Sequence, residues 1–109
     1  MTEPERRSTL RVPFVAYAEI IEEGSSVSVA VRISDLSNDG CYVDMRSPLS
    51  KGTLVVIKLV AAKDAFETEA MVAYSDPHLG MGLSFREVRS EARTILQKWL
   101  GKATEEQQN

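Results

Sequence analysis

Cysteine and histidine are scarce in this chain of 109 residues, which contains one of each. A single cysteine excludes an internal disulfide and a metal site built from several cysteines. A single histidine argues against a zinc hydrolase or a Ser-His-Asp triad. The apolar runs are far shorter than a membrane-spanning helix needs, and residues 1–7 lack the apolar core of a signal peptide. We therefore expect a cytoplasmic chain without membrane insertion, metal or cofactor.

An excess of positive charge is also lacking. The chain has 13 Lys and Arg against 16 Asp and Glu, a formal net charge of −3. This balance argues against a protein that coats nucleic acid by bulk charge. Any bound anion must therefore be held by a local cluster of basic residues.

The middle of the chain consists of short stretches in which apolar and polar residues alternate. Such a period of two predicts strands with one apolar face. The clearest cases are Val27, Val29, Val31 and Ile33, and then Phe66, Thr68, Ala70, Val72 and Tyr74. The β-rich runs, which turn sequences separate, are residues 12–22, 27–34, 41–45, 53–60, 66–74 and 81–85.

The period changes near the C-terminus, which predicts an amphipathic helix. Its apolar stripe comprises Val88, Ala92, Ile95, Leu96, Trp99 and Leu100. Gly101 is the expected C-cap. The fold class predicted is all-β with one C-terminal α-helix, a six-stranded antiparallel β-barrel. The predicted organisation is a flexible arginine-rich arm (1–11), the barrel with its helix (12–100) and a disordered tail (101–109).

An arginine cluster precedes the first predicted strand. It comprises Arg6, Arg7 and Arg11, and it contains R-x-x-x-R at Arg7 and Arg11. The guanidinium presents donors in a planar fork that matches phosphate oxygens and the O6/N7 edge of guanine. Basic residues just before a first strand are more often a solvated arm, so the cluster on its own does not establish an anion site.

A second polar cluster, D-x-S-x-x-G, runs from Asp35 through Ser37 to Gly40 between two predicted strands. A carboxylate accepts two hydrogen bonds side by side, which suits the N1–H and N2–H₂ donors of guanine, and a serine hydroxyl both donates and accepts. Gly40 can adopt a positive φ and admit a ligand closely. The structural alternative is that Asp35 and Ser37 cap a tight turn, which Gly40 completes.

In this order, with one hairpin between them, the two motifs resemble the PilZ domain family of cyclic di-GMP receptors. Two further segments extend the resemblance over nearly the whole chain. Residues 48–53 resemble the family's PL-x-x-G segment. Residues 70–74 followed by residues 80–85 resemble its last hairpin, which ends in G-M-G-hydrophobic-x-F. The resemblance implies a six-stranded barrel with cyclic di-GMP against one outer face.

The resemblance also implies the ligand contacts. Arg7 and Arg11 are expected to hold phosphates and guanine edges. Asp35, Ser37 and Gly40 are expected to hold a guanine of the same ligand.

Three further assignments follow from the same resemblance. Arg6 stands where an arginine accompanies binding of an intercalated cyclic di-GMP pair. Tyr74 stands where related domains often carry an aromatic residue near the ligand, although it is also compatible with a core or rim position. Gly82 is expected to leave that part of the last hairpin open, or to form a bulge.

The function implied is a non-catalytic bacterial receptor that relays cyclic di-GMP binding to a protein partner through a conformational change. Motility or biofilm control is the output that the family implies, and a monomer or weak dimer is expected. The alternative is a nucleotide-independent protein–protein adaptor of the same fold. A binder of single-stranded nucleic acid would need stacking aromatics, yet only 6% of residues are aromatic and Phe14, Tyr17 and Trp99 are predicted core.

The remaining reactive side chains are predicted to be structural. Cys41 is expected to be a small core residue, and His78 is expected to lie in an exposed turn. Glu67 and Glu69 alternate outward on one strand, which is typical of a solvated face. No nucleophile–base pair can be assembled, so an enzyme is not expected.

Overall fold

Six strands and one helix follow one another along residues 10–108, the part of the chain that the computed structural model describes. Every predicted strand is present, and its ends lie within two residues of the predicted ones. The elements are β1 (Val12–Glu22), β2 (Ser28–Leu36), β3 (Gly40–Asp44), β4 (Leu54–Ala61), β5 (Asp64–Asp76), β6 (Gly80–Arg86) and α1 (Ser90–Gln108).

The strands form a closed barrel in the order β1-β2-β3-β6-β5-β4. Every neighbouring pair is antiparallel, and the pairing of β1 with β4 closes the barrel. Closure satisfies the backbone groups that an open sheet would leave at its edges. The predicted fold class, a six-stranded antiparallel barrel with one C-terminal helix, is therefore confirmed.

The core occupies the inside of the barrel and is supplied by alternate residues of the strands. On β4 and β5 the alternation is regular, because every second side chain is buried. Burying one large aliphatic or aromatic side chain contributes roughly 1.5–3 kcal/mol. The largest fully buried side chains include Phe66, Ile20, Ile33, Leu36, Ile57 and Leu59.

The first half of β2 departs from the predicted pattern. Val27 and Val29 were expected on an apolar inner face, but they are 65% and 41% exposed. The pairing of β3 with β2 begins only at Arg32, so within residues 10–108 no strand covers this end of β2 on that side. Tyr17 was predicted to be core and is 76% exposed, because it lies on the outer face of β1.

Helix α1 is longer than predicted. It continues through Gly101 to Gln108, so Gly101 is not a C-cap and residues 101–108 are not a disordered tail. Ala103 is buried, which extends the apolar face of the helix beyond Gly101. That further contact explains why the helix does not end at the glycine.

Trp99 anchors α1 to the barrel, as predicted for a core residue. Its side chain is 5% exposed, and its ring stacks on Phe14 with centroids 5.5 Å apart. The ring also meets Phe66 edge-on at 6.3 Å. Among the described residues its indole N–H has no hydrogen-bond partner, so packing holds this residue.

Residues 10–108 contain neither a membrane-spanning helix nor a cluster of metal-ligating side chains. No helix within residues 10–108 has the length and apolar character needed to cross a membrane. In the same part of the chain, no three His, Cys, Asp or Glu side chains come together as metal ligands do.

The position of Gly101 inside α1 leads to a stability prediction. Gly101→Ala should stabilise the chain by about 0.5–1 kcal/mol, because alanine is the better residue in a helix interior. A Cβ at this position meets no atom within 4 Å. Urea denaturation followed by circular dichroism measures the effect. A loss of stability would contradict the continuous helix, since it is the result expected if Gly101 were a cap with positive φ.

Candidate ligand-binding face of the barrel

A row of four residues crosses the outer face of β2, β3, β6 and β5. Asp35 pairs with Tyr42 across β2 and β3. Tyr42 pairs with Gly82 across β3 and β6, and Gly82 pairs with Tyr74 across β6 and β5. The sheet thus aligns Asp35 of the D-x-S-x-x-G motif with two tyrosine rings.

Two register shifts turn Asp35 and Tyr74 outward. Strict alternation from buried Ile33 and Val72 would direct both side chains into the core. The pairing of β2 with β3 shifts between Ile33 and Asp35, and that of β5 with β6 shifts between Val72 and Tyr74. Each shift is typical of a β-bulge, whose extra residue reverses the facing of the side chains that follow.

Gly82 leaves the space in which the ring of Tyr74 packs against β6. A Cβ built on Gly82 would overlap the ring of Tyr74, so only glycine allows this ring to lie against β6. The expectation that Gly82 leaves the hairpin open is therefore wrong, because Tyr74 covers it. The Tyr74 side chain remains accessible at 43% exposure, and its ring centroid lies 6.2 Å from that of Tyr42.

Tyr42 is a residue of this face that sequence reasoning missed. Its hydroxyl donates a hydrogen bond to Asp76 Oδ2 at 2.9 Å. Desolvation, followed by this hydrogen bond and nearby acids, raises the pKa of Tyr42 to about 12, so the hydroxyl is a neutral donor at physiological pH. The alternation Cys41-Tyr42-Val43 next to the motif was the available signal, since it places Tyr42 on the face opposite the core.

Arg11 and Asp35 bring the two sequence motifs together. Arg11 Nη1 donates to Asp35 Oδ1 at 2.7 Å. The side chains are 39% and 31% exposed, and surface ion pairs of this kind contribute about 0–1 kcal/mol. The pair therefore lies at the Asp35 end of the row, and replacing either partner of the ion pair loses little free energy. Arg6 and Arg7 lie outside the described residues.

Ser37 holds the loop that follows Asp35. Its buried hydroxyl donates to Gly40 O at 3.2 Å and accepts from the amides of Asp39 and Gly40 at 3.2 and 3.1 Å. These bonds all lie within the turn, so Ser37 fixes the shape of the loop. The contacts of Ser37 are those of a turn cap, the structural alternative given for this residue.

Gly40 is required by close packing of β3 on β6. A Cβ at this position would overlap the backbone carbonyl of Leu83. The positive φ that was allowed for Gly40 is not adopted, because the glycines with positive φ among the described residues are Gly24 and Gly52. The close approach at Gly40 is thus to a neighbouring strand.

A second guanidinium flanks the row. Arg32 lies on the outer face of β2, and its Nε and Nη2 donate to Asp44 Oδ2 at 3.1 and 2.9 Å. Asp44 lies two residues beyond Tyr42 on β3. The face therefore combines carboxylate acceptors, guanidinium donors and two aromatic rings. That combination suits a planar ligand that carries both hydrogen-bond donors and negative charge.

Other polar residues occupy the structural positions predicted for them. Cys41 is fully buried, and desolvation raises the pKa of its thiol above the usual range. His78 is exposed in the turn before β6, with φ of 69°. Glu67 and Glu69 are exposed on β5.

A cleft of the described chain lies elsewhere. A space of about 560 Å³ separates β5 from the start of α1 and is lined by Ala65, Thr68, Glu87, Ala92 and Ile95, among others. None of the predicted ligand residues within residues 10–108 lines it. The candidate face and this cleft are therefore separate parts of the surface.

Comparison with known sequences identifies the class of domain that this barrel represents. The PilZ domain profile matches residues 5–102, which is most of the chain. The chain therefore belongs to the PilZ domain family, as the two motifs predicted. No curated protein matches the chain.

Solved structures with the same fold come from several bacteria. The inhibitor of motility MotI/DgrA of Bacillus subtilis aligns with a TM-score of 0.77 at 20% identity, over 95% of this chain and 54% of that chain. This chain therefore spans about half of that protein. The PilZ domain of YcgR from Escherichia coli, solved with c-di-GMP, aligns with a TM-score of 0.75 at 15% identity, over 93% of each chain.

A third structure is the PilZ domain of CeSA from a cellulose-synthesizing bacterium. It aligns with a TM-score of 0.66 at 21% identity, over 83% of this chain and 93% of that chain. At these identities the three structures establish the fold.

The contact between Gly82 and Tyr74 can be tested by a double-mutant cycle. Gly82→Ala should destabilise the chain by about 1–3 kcal/mol, because the added methyl group meets the tyrosine ring. In the Tyr74→Ala background the same change should have a much smaller effect. Urea denaturation of the four proteins measures the coupling. Equal losses in both backgrounds would contradict this packing.

Proposed function

We propose that the chain is a non-catalytic receptor for cyclic di-GMP. The observation that carries the proposal is the Arg11–Asp35 ion pair at 2.7 Å. It joins R-x-x-x-R to D-x-S-x-x-G on the outer face of a PilZ barrel, although 23 residues separate the two in the sequence. Membership of the PilZ family and the c-di-GMP in the YcgR structure support the choice of ligand.

Ligand binding is proposed to proceed by exchange of this ion pair. Asp35 accepts the N1–H and N2–H₂ donors of a guanine, and Arg11 turns to a phosphate or to the O6/N7 edge of guanine. The exchange loses little, because the exposed ion pair contributes at most about 1 kcal/mol. Each residue gains a charge-assisted contact with the ligand in its place.

The two tyrosine rings are proposed to border the bound guanine. Tyr42 and Tyr74 lie in the same row as Asp35, and stacking of a base on an aromatic ring contributes about 1–3 kcal/mol. Arg6 and Arg7 are proposed to add phosphate contacts, and Arg6 to favour a second, intercalated ligand molecule. Gly40 and Ser37 take part by shaping the loop beside the guanine.

The output is proposed to pass through a protein partner in the bacterial cytoplasm. Ordering of the arginine-bearing segment over the ligand changes the surface that a partner contacts. Control of motility or biofilm formation is the proposed output, and the similarity to an inhibitor of motility supports the first. A monomer or weak dimer serves this mechanism.

Calorimetric titration with cyclic di-GMP tests the proposal, and separate titrations with GTP and cyclic di-AMP are the controls for selectivity. The wild-type chain should bind cyclic di-GMP selectively. Arg11→Ala and Asp35→Ala should each weaken binding by roughly 10- to 100-fold, because each removes a charged hydrogen-bonding partner of the ligand. Their melting temperatures should stay near the wild-type value, since the ion pair contributes little to folding.

Arg89→Ala is the matched control. Arg89 is an exposed arginine that lines the cleft between β5 and α1, so its loss should leave binding unchanged. If wild-type protein gives no heat and no thermal shift at high ligand concentration, the receptor proposal fails. The function would then be that of a nucleotide-independent adaptor.

A further inference from the structure

Helix α1 contacts the D-x-S-x-x-G loop directly through Asn38. Arg93 Nη1 donates to the backbone oxygen of Asn38 at 3.0 Å and to its Oδ1 at 2.8 Å. Gln97 Nε2 donates to the same Oδ1 at 2.7 Å. We call these three hydrogen bonds the Asn38 clamp.

The clamp adds contacts from α1 to the bonds that the loop makes within itself. Ser37 closes the turn from within by bonding Asp39 and Gly40. Asn38 lies between Ser37 and Asp39. In the clamp its backbone oxygen and its Oδ1 both act as acceptors. Asp35 lies two residues before Ser37, near the end of β2, so the turn that Ser37 and the clamp hold borders this carboxylate directly.

The helix that supplies the clamp is firmly seated. Arg93 and Gln97 are four residues apart and so project from the same face of α1. Leu96 and Trp99 on the neighbouring face are buried in the core. Because packing already anchors α1, the clamp is not needed to keep the helix on the barrel, and its main effect falls on the loop.

We propose that Arg93 and Gln97 are positioning residues that hold the D-x-S-x-x-G loop in its ligand-binding conformation. This inference rests on the proposed function and assigns its regulation to α1. If the clamp strengthens ligand binding by some factor, the bound ligand strengthens the clamp by the same factor. Helix α1 is then the element that registers occupancy of the face.

The effect of the clamp on ligand binding can be measured as a change in affinity for cyclic di-GMP. The double variant Arg93→Met with Gln97→Leu should bind roughly tenfold more weakly than wild type, a usual size for coupling between sites. Lys98→Met is the matched control, because Lys98 is adjacent on α1 and pairs with Asp64 at 3.0 Å. It should bind like wild type, even though it also loses a polar contact of the helix.

Substitution of Asn38 separates a positioning role from a general loss of packing. Asn38→Leu removes the side-chain acceptor and should weaken binding like the double variant. Asn38→Asp keeps an oxygen acceptor for both Arg93 and Gln97, so it should restore most of the affinity. If the leucine and aspartate variants bind equally, or if the double variant binds like wild type, the proposal is overturned.

Hydrogen exchange gives a readout that does not depend on affinity alone. Saturating cyclic di-GMP should slow amide exchange in residues 90–97 of the wild-type chain, and this effect should disappear in Asn38→Leu at equal saturation. Absence of the effect in wild type would overturn the role of α1. The outcome is separable from the proposed function, which fails only if wild-type protein does not bind the ligand.

Discussion

Two register shifts in the barrel determine the character of its candidate face. Without them, Asp35 and Tyr74 would continue the inward series of Ile33 and Val72, and a carboxylate would be buried in the core. With them, both side chains turn outward on either side of the β3–β6 pair. The shift in β2 is held on both sides, because Asp35 pairs with Pro13 of β1 and with Tyr42 of β3. Sliding β2 past one neighbour to remove the extra residue would therefore break its register with the other.

The contacts that stabilise the fold and the polar contacts of the candidate face lie in different parts of the barrel, the first inside it and the second on its outer surface. Inside the barrel, buried aliphatic and aromatic side chains supply the folding energy. Outside, the Arg11–Asp35 pair is partly exposed and contributes little to folding. Under the proposed function, a ligand therefore replaces contacts on the face without disturbing the core. The clamp from α1 links the two parts, since the same helix packs its apolar side into the core and bonds Asn38 with its polar side.

Much of the architecture was predictable because it depends on local periodicity. The alternation from Phe66 to Val72 placed β5 correctly, and the spacing around Trp99 located the helix on its buried face. The errors arose where neighbours decide burial. Val29 alternates like an inner residue but lies where β3 does not cover β2. Gly101 has the chemistry of a cap, yet Ala103 beyond it is buried and the helix continues.

The sequence by itself determined the strand order along the chain, the family and the motif residues, because short-range patterns and motif spacing carry that information. Tertiary structure alone decided which residues meet. Tyr42 enters the face because β3 pairs with β2 on one side and β6 on the other. Gly82 is a glycine because a ring from β5 rests on it, and Asn38 is held by a helix that begins 52 residues later. Such contacts depend on register and closure, which arise only when all six strands are paired.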